Sequence, residues 1–165
     1  CPLPAWSPEQ CRRIRGRGLM PGYFRDPQAT AAVMRPGGWY ASGDIGEMDA
    51  DGALWVVGRL KEMIIRSGFN VYPAEVEAAL NTHPSIARSA VVGRKEADGN
   101  EQVIAFVELR SGDTLDHASL QAHLRERLAP YKRPSRIELI DALPTNPNGK
   151  ILKRVLQERA ATFPL

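Results

Sequence analysis

Residues 58–77 read GRLKEMIIRSGFNVYPAEVE, and they separate two differently patterned parts of the chain. Before this stretch, short apolar runs divided by turn residues predict strands. After it, predicted helices and strands alternate. Residues 58–62 are mostly polar or charged and lie between two apolar runs, which is typical of a domain boundary. Residues 63–65 predict a short strand, and residues 73–80 predict a helix that starts at a proline.

The apolar pattern on either side predicts the other elements. Upstream, Asp26 is the expected N-cap of a helix over residues 27–34, and strands are expected over 43–48 and 53–57 with a turn at 49–52. Downstream, strands are expected over 86–92, 103–109 and 137–140, and helices over 116–128 and 151–161. Residues 1–11 and 144–149 contain prolines and are expected to be irregular. The sequence therefore predicts an α+β fold, in which a β-rich part precedes a compact domain of one short sheet and about three helices.

The composition is that of an ordinary globular protein. Of 165 residues, 43% are hydrophobic and 25% are charged, with a net charge of +3. The length suits one domain or two small ones. No apolar run approaches the roughly 20 residues of a membrane span. Cys1 and Cys11 are too few for a disulfide scaffold, so a reduced, cytoplasmic setting is expected.

Charge is unevenly distributed along the chain. Residues 125–165 carry nine basic and four acidic side chains. Such a tail is able to bind nucleic acid or another phosphate ligand, but its basic residues lie at helical spacing without interleaved aromatics. The pattern favours a solvated helix face, and no nucleic-acid partner is expected. The three histidines lack metal-ligand spacing, so no metal site is expected within the chain.

Three positions have side chains suited to a phosphate or ribose ligand. Lys150 follows Asn148-Gly149 before a predicted helix, where a lysine is able to reach a phosphate. Asp44 follows a glycine, and a carboxylate there is able to bind vicinal hydroxyls. Arg59 also follows a glycine and offers a forked donor. Ordinary alternatives stay open: a solvent lysine, a turn aspartate that caps its own backbone, and an exposed arginine at a strand end.

Four motifs in order carry a family resemblance: MPGY at 20–23, WYASGD at 39–44, the stretch at 58–77, and LPTNPNGKI at 143–151. Together they resemble the C-terminal part of an acyl-CoA synthetase in the adenylate-forming, AMP-binding superfamily. The resemblance covers about residues 13–160. It implies an acid–thiol ligase that activates a carboxylic acid with MgATP, releases pyrophosphate, and then lets coenzyme A displace AMP.

The resemblance also implies a domain organisation. Residues 1–60 would be the incomplete, β-rich end of a large AMP-binding domain, and residues 62–165 would be the small C-terminal domain. Lys61 would be the hinge about which the small domain rotates between the two half-reactions. The partners implied are the missing N-terminal domain, a small carboxylic acid, ATP and coenzyme A.

Four residues match functional positions of the family. Asp44 and Arg59 would bind the ribose of ATP or AMP, and Gly68 would line the pantetheine tunnel. Lys150 would approach the phosphates and the carboxylate during adenylation. The segment GFNVYP resembles fatty-acyl and malonyl-type ligases, so a fatty acid or related short acid is the expected substrate. Two alternatives remain: an adenylation domain that loads a carrier protein, and a non-catalytic binding module.

The chain also departs from the family pattern. The family's phosphate loop, which with its surroundings would supply most of the Mg²⁺ site, has no counterpart here, and the acyl pocket is also missing. Residues 9–13, EQCRR, stand where the family has a Gly-Glu strand start. The chain is therefore expected to be a fragment that is inactive on its own.

Overall fold

The computed structural model describes residues 11–48 and 50–164 of a chain that divides into two compact units, Cys1–Lys61 and Glu62–Leu165. The irregular lead-in was expected over residues 1–11, but Cys11 belongs to a strand because it pairs with Ile45. The rest of the lead-in, including Cys1, and the turn residue Asp49 lie outside the described residues. The division falls beside Lys61. That Lys61 is a hinge, and that the first unit ends a larger domain, stay predictions.

The first unit contains a four-stranded antiparallel sheet centred on β3. Its strands are β1 (Cys11–Ile14), β2 (Met34–Arg35), β3 (Trp39–Met48) and β4 (Leu54–Arg59). Helix α1 (Pro27–Val33) begins after Asp26, whose carboxylate accepts the Ala29 N–H at 2.8 Å, and this confirms the expected N-cap. Strand β3 starts four residues before the predicted 43–48 because its first residues pair with β1 and β2.

The second unit contains a two-stranded hairpin, a three-stranded sheet and three helices. The elements are β5 (Ile64–Arg66), β6 (Phe69–Val71), α2 (Pro73–Asn81), β7 (Ile86–Lys95), β8 (Glu101–Leu109), α3 (His117–Arg127), β9 (Arg136–Leu139) and α4 (Lys153–Ala161). Strand β8 is central, antiparallel to β7 and parallel to β9. The mixture of sheets and helices confirms the predicted α+β fold.

Alternation along β8 divides the core of the second unit into two clusters. Val103, Ala105 and Val107 are fully buried on the face that packs against apolar residues of α2 and α3. Ile104 and Phe106 are equally buried on the opposite face, with residues of α4. Since successive strand side chains point to opposite faces, a run of five apolar residues fits a strand that is covered on both sides.

Further local predictions differ from the structure. Residues 69–71 form β6, which the sequence did not predict because the polar Asn70 interrupts the apolar residues. Helix α4 begins at Lys153 rather than at residue 151. Ile151 instead forms an isolated bridge with Thr145, and the Leu152 N–H donates to the Pro144 carbonyl at 2.8 Å. These contacts hold the chain out of the helix for two further residues. Across residues 11–48 and 50–164, no helix is long and apolar enough to span a bilayer.

His83 is a buried titratable group that ends the α2 region. It is 4% exposed, and its Nδ1 accepts the Ser85 N–H at 3.3 Å. The His123 ring meets it edge-on at 5.2 Å between centroids. Burial lowers the pKa of His83, and the positive charge of His123 lowers it further, while the Asp116 carboxylate acts in the opposite direction. The folded protein therefore favours the neutral imidazole.

This lowered pKa predicts a pH-dependent stability. Above the unfolded pKa of about 6.5, His83 is neutral in both states. As the pH falls through that value, the unfolded chain takes up a proton that the folded chain resists, so the free energy of unfolding decreases. Urea unfolding between pH 7.5 and 5.5 measures the slope, which we expect to be shallower in His83→Gln. The exposed His117→Gln is the control and should keep the parent slope; equal slopes in parent and His83→Gln would contradict the prediction.

Candidate functional site

Asp44 and Arg59 form a cross-strand ion pair in the first unit. The two residues are directly opposed in the β3–β4 register, and Arg59 Nε lies 2.9 Å from Asp44 Oδ1. Asp44 is in a strand, so it is not the turn aspartate that the sequence left as an alternative. Their side chains are 48% and 22% exposed for arginine and aspartate. Because Arg59 is exposed, the pair contributes only about 0–1 kcal/mol to folding.

Aromatic residues of two sequence motifs meet beside this pair. The hydroxyls of Tyr23 and Tyr40 are 3.5 Å apart. The pKa of Tyr40 is raised, mainly by its hydrogen bond to Tyr23. The Asp44 carboxylate also raises this pKa, whereas the Arg59 guanidinium lowers it. The Arg15 guanidinium lies 5.1 Å from the centre of the Trp39 ring. Contacts within the first unit thus join the motifs at 20–23 and 39–44, which the sequence related only by their order, and they add Arg15.

The predicted hinge residue lies in a short turn. Leu60–Glu62 form a single 3-10 turn directly after β4, and Lys61 is exposed there. A turn of this length is the kind of segment in which a few backbone dihedrals absorb a large rotation.

Gly68 lies at the tip of the β5–β6 hairpin. Both turn residues have positive φ, +51° at Ser67 and +79° at Gly68, as a two-residue type I′ turn requires. The turn is fixed from outside, since the Ser67 N–H donates to Asn100 Oδ1 at 2.7 Å. A Cβ added to Gly68 would meet none of the described atoms within 4 Å. The glycine is therefore needed for its backbone conformation and leaves open space above the turn.

Lys150 is presented by a hydrogen-bonded turn within the loop that was expected to be irregular. The side-chain oxygen of Asn146 accepts the backbone N–H groups of Asn148 at 3.1 Å and Lys150 at 2.8 Å. The Asn146 N–H donates to the Lys150 carbonyl at 2.9 Å. Gly149, with φ of +78°, completes the turn. Residues 146–150 therefore form a compact closed turn that holds the Lys150 backbone, while the Lys150 side chain is exposed.

The Lys150 side chain is exposed, and within the described part of the chain its ammonium has no ion-pair partner. Asp44 and Arg59 belong to the first unit, whereas Gly68 and Lys150 belong to the second. The structure thus brings the first two together and presents the other two on separate turns. The roles of all four remain predictions.

Two features were missed by the sequence reasoning. Phe69, 55% exposed beside Gly68, stacks on Tyr131 with 4.6 Å between ring centroids. No local pattern connects residues so far apart in sequence. The second is Lys153, which forms two ion pairs. The sequence contained an indication of them, because a lysine at the start of a predicted helix is locally unfavourable.

Comparison with known proteins shows which family the chain resembles. Residues 75–150 match the family described as AMP-binding enzyme C-terminal domain. The 2-succinylbenzoate–CoA ligase of Geobacillus kaustophilus is 45% identical over 144 residues, covering 87% of this chain and 29% of the relative. ATP-bound MatB from Rhodopseudomonas palustris superposes with a TM-score of 0.82 and 36% identity, covering 91% of this chain and 30% of that chain.

A third relative contains a reaction intermediate. The o-succinylbenzoate CoA synthetase MenE of Bacillus subtilis, in complex with the acyl-adenylate OSB-AMP, has a TM-score of 0.81 and 34% identity, covering 88% of this chain and 29% of that chain. The chain thus spans less than a third of the length of these relatives. By its family match and its alignment with CoA ligases over most of its length, the chain belongs to the adenylate-forming superfamily of AMP-binding enzymes.

Proposed function

We propose that this chain acts as the C-terminal part of an ATP-dependent acid–CoA ligase. In the first step, a carboxylate oxygen attacks the α-phosphorus of ATP, and the bond to the β-phosphate oxygen breaks to release pyrophosphate. In the second, the coenzyme A thiol loses its proton and attacks the acyl carbon, and AMP leaves. The observation that carries the proposal is the exposed Lys150 ammonium on a closed turn, in a chain that aligns with CoA ligases.

The nucleotide would be held through the Asp44–Arg59 pair. Arg59 Nε contacts Oδ1 of Asp44, which leaves the second carboxylate oxygen able to accept from the vicinal hydroxyls of a ribose. Arg59 also has further N–H donors for a hydroxyl oxygen. That the related MatB structure contains ATP supports a nucleotide ligand.

The second unit would supply a different group for each half-reaction. Lys150 would place a positive charge beside the carboxylate and phosphate as negative charge develops between them. The open space at Gly68 suits a narrow chain such as pantetheine, and the Phe69–Tyr131 stack beside it offers an aromatic surface. Rotation of the second unit about Lys61 would move Lys150 away from the nucleotide and bring the Gly68 turn to it.

Other groups are proposed because the family resemblance implies them. The part of the chain described here contains no cluster of three or more potential metal ligands, so Mg²⁺ is assigned to the segments of the relatives that this chain does not cover. A fatty acid or related short acid is proposed from the GFNVYP segment, and a cytoplasmic setting from the sparse cysteines. The Geobacillus kaustophilus relative is named for 2-succinylbenzoate, which makes that acid a practical probe.

A chimeric ligase tests the proposal. In it, the aligned segment of the Geobacillus kaustophilus relative is replaced by this chain. We expect 2-succinylbenzoate-dependent ATP–pyrophosphate exchange and formation of the CoA thioester. This chain alone, and the relative without its segment, should give neither, because one lysine and one aspartate cannot position a triphosphate. A chimeric ligase with the circular dichroism and elution volume of the relative but without either activity would refute the proposal.

Asp44→Ala should weaken ATP binding in the chimeric ligase. Hydrogen bonds to a charged group contribute about 1.5–3 kcal/mol, so the KM for ATP should rise roughly 10- to 100-fold while the KM for the acid changes little. Initial rates at varied ATP measure this. Glu47→Ala, an exposed carboxylate on the same strand, is the matched control. An unchanged KM for ATP in Asp44→Ala would show that Asp44 does not hold the ribose.

A further inference from the structure

Lys153 occupies a position that local helix physics disfavours. It is the first residue of α4, and the first turn of that helix contains no acidic residue. The preceding N-cap residue, Leu152, has an apolar side chain that cannot accept a hydrogen bond. A positive charge at a helix N-terminus costs about 0.3–1 kcal/mol. A residue that breaks a local rule in this way is expected to be compensated by tertiary contacts.

The compensation comes from two carboxylates of the same unit. Lys153 Nζ lies 2.9 Å from Glu62 Oε2 and 2.8 Å from Glu77 Oε1. Glu77 Oε1 also accepts the Val91 N–H at 2.8 Å. We call Glu62, Glu77 and Lys153 the Lys153 clamp. It connects the start of the second unit, α2, β7 and the first turn of α4.

The clamp differs from an ordinary surface pair. Its side chains are 20–29% exposed, whereas those of the neighbouring Arg154–Glu158 pair on α4 are 85% and 62% exposed. Burial by itself lowers the pKa of Lys153, but the carboxylates of Glu77 and Glu62 outweigh burial, and the pKa is raised. The ammonium therefore stays charged over the whole neutral range. Breaking a half-buried pair of this kind leaves a carboxylate without its partner, which costs more than loss of a surface pair.

The clamp contains residues that are close in sequence to the proposed hinge, Lys61, and to Lys150. Glu62 directly follows Lys61, and Lys153 is three residues beyond Lys150. Resting on the proposed function, we propose that Lys153 is a positioning residue, which with Glu62 and Glu77 makes the residue after the hinge and the turn that presents Lys150 move as one body. If Glu62 were loose, rotation about Lys61 would be absorbed within the chain that follows it. A misplacement of about 1 Å can cost a hundredfold in rate.

Hydrogen exchange in the 165-residue chain tests the clamp without any activity. In Lys153→Met, we expect faster amide exchange both near residues 62–66 and near residues 150–156. Lys153→Arg keeps the charge and should restore slow exchange in both segments. Arg154→Met, which removes the neighbouring charge of α4, should change neither. Faster exchange confined to residues 150–156 would show that Lys153 caps its own helix only, and the inference would fall.

The chimeric ligase tests the mechanistic consequence. Lys153→Met should lower the rate of adenylate formation about tenfold. It should lower coenzyme A attack on supplied acyl-adenylate, which does not use Lys150, less than threefold. In a Lys150→Ala background, Lys153→Met should have no further effect on adenylation, because a residue that acts through Lys150 cannot act without it. Lys153→Arg should recover most of the rate.

The outcomes separate this inference from the proposed function. If the parent chimeric ligase forms no adenylate, the proposed function is refuted and the inference falls with it. If the parent is active but Lys153→Met slows both half-reactions equally, or still slows adenylation in the Lys150→Ala background, the clamp is merely structural. The proposed ligase function would stand in that case.

Discussion

Lys150→Ala in the chimeric ligase should slow adenylate formation by about 10²–10³ and leave attack of coenzyme A on supplied acyl-adenylate nearly unchanged. Removal of one preorganised charge donor typically has an effect of that size. The Lys150 backbone is held by Asn146 while its side chain is exposed. The alanine variant therefore loses the ammonium with little change in the turn. Rotation of the small domain would take Lys150 away from the nucleotide before the thiol attacks, so the second step should not use it.

Pre-steady-state measurement of the two half-reactions distinguishes this role from that of a solvent lysine. Lys95→Ala removes an exposed lysine at the end of β7 and is the matched control. Lys150→Arg should recover only part of the rate, because a planar guanidinium does not reproduce a compact ammonium. If both half-reactions of Lys150→Ala run within a few-fold of the parent, Lys150 is a solvent residue and the domain-rotation proposal loses its main support.

The core of the second unit follows from the sequence pattern. The apolar run that includes residues 103–107 has the length of a strand, and burial on both faces follows from its lack of polar positions. Strand β7 was predicted to end three residues too early, and β8 was predicted to start two residues too late. Their last pairs, Arg94 with Gln102 and Lys95 with Glu101, are polar. Such residues enter a strand because a partner strand is present, which a local apolar pattern cannot reveal.

The sequence suggested the candidate site residues one by one, but it did not predict how they are arranged. Asp44 and Arg59 were each candidates, yet their contact depends on the β3–β4 register, which a bulge between Ile45 and Gly46 shifts. The Lys150 turn depends on hydrogen bonds to the Asn146 side chain, and composition alone does not predict the direction in which that side chain points. The Lys153–Glu62 contact joins positions 91 residues apart. In the sequence, this contact was indicated only by the unfavourable lysine at the start of α4.

Lys61→Pro in the chimeric ligase should slow the CoA-dependent step far more than adenylate formation. Proline fixes φ near −65°, a value that suits the 3-10 turn of Leu60–Glu62. A second state whose φ at this residue lies far from that value is closed to the variant, because the pyrrolidine ring cannot adopt it. The proposal assigns this φ to the adenylating orientation, so the variant should still complete its first step but should not bring the Gly68 turn to the acyl-adenylate.

Comparison of the proline variant with Lys61→Ala isolates the backbone effect. Alanine removes the exposed ammonium but keeps the N–H and the freedom of φ, so both half-reactions should stay within a few-fold of the parent. Because proline also restricts the preceding residue, Leu60, the thermal midpoint of each variant shows whether the fold is retained. Equal losses in both half-reactions of a folded Lys61→Pro would argue against Lys61 as the pivot. A loss confined to the CoA-dependent step, together with a normal Lys61→Ala, requires that the backbone at residue 61 change its conformation between the two steps.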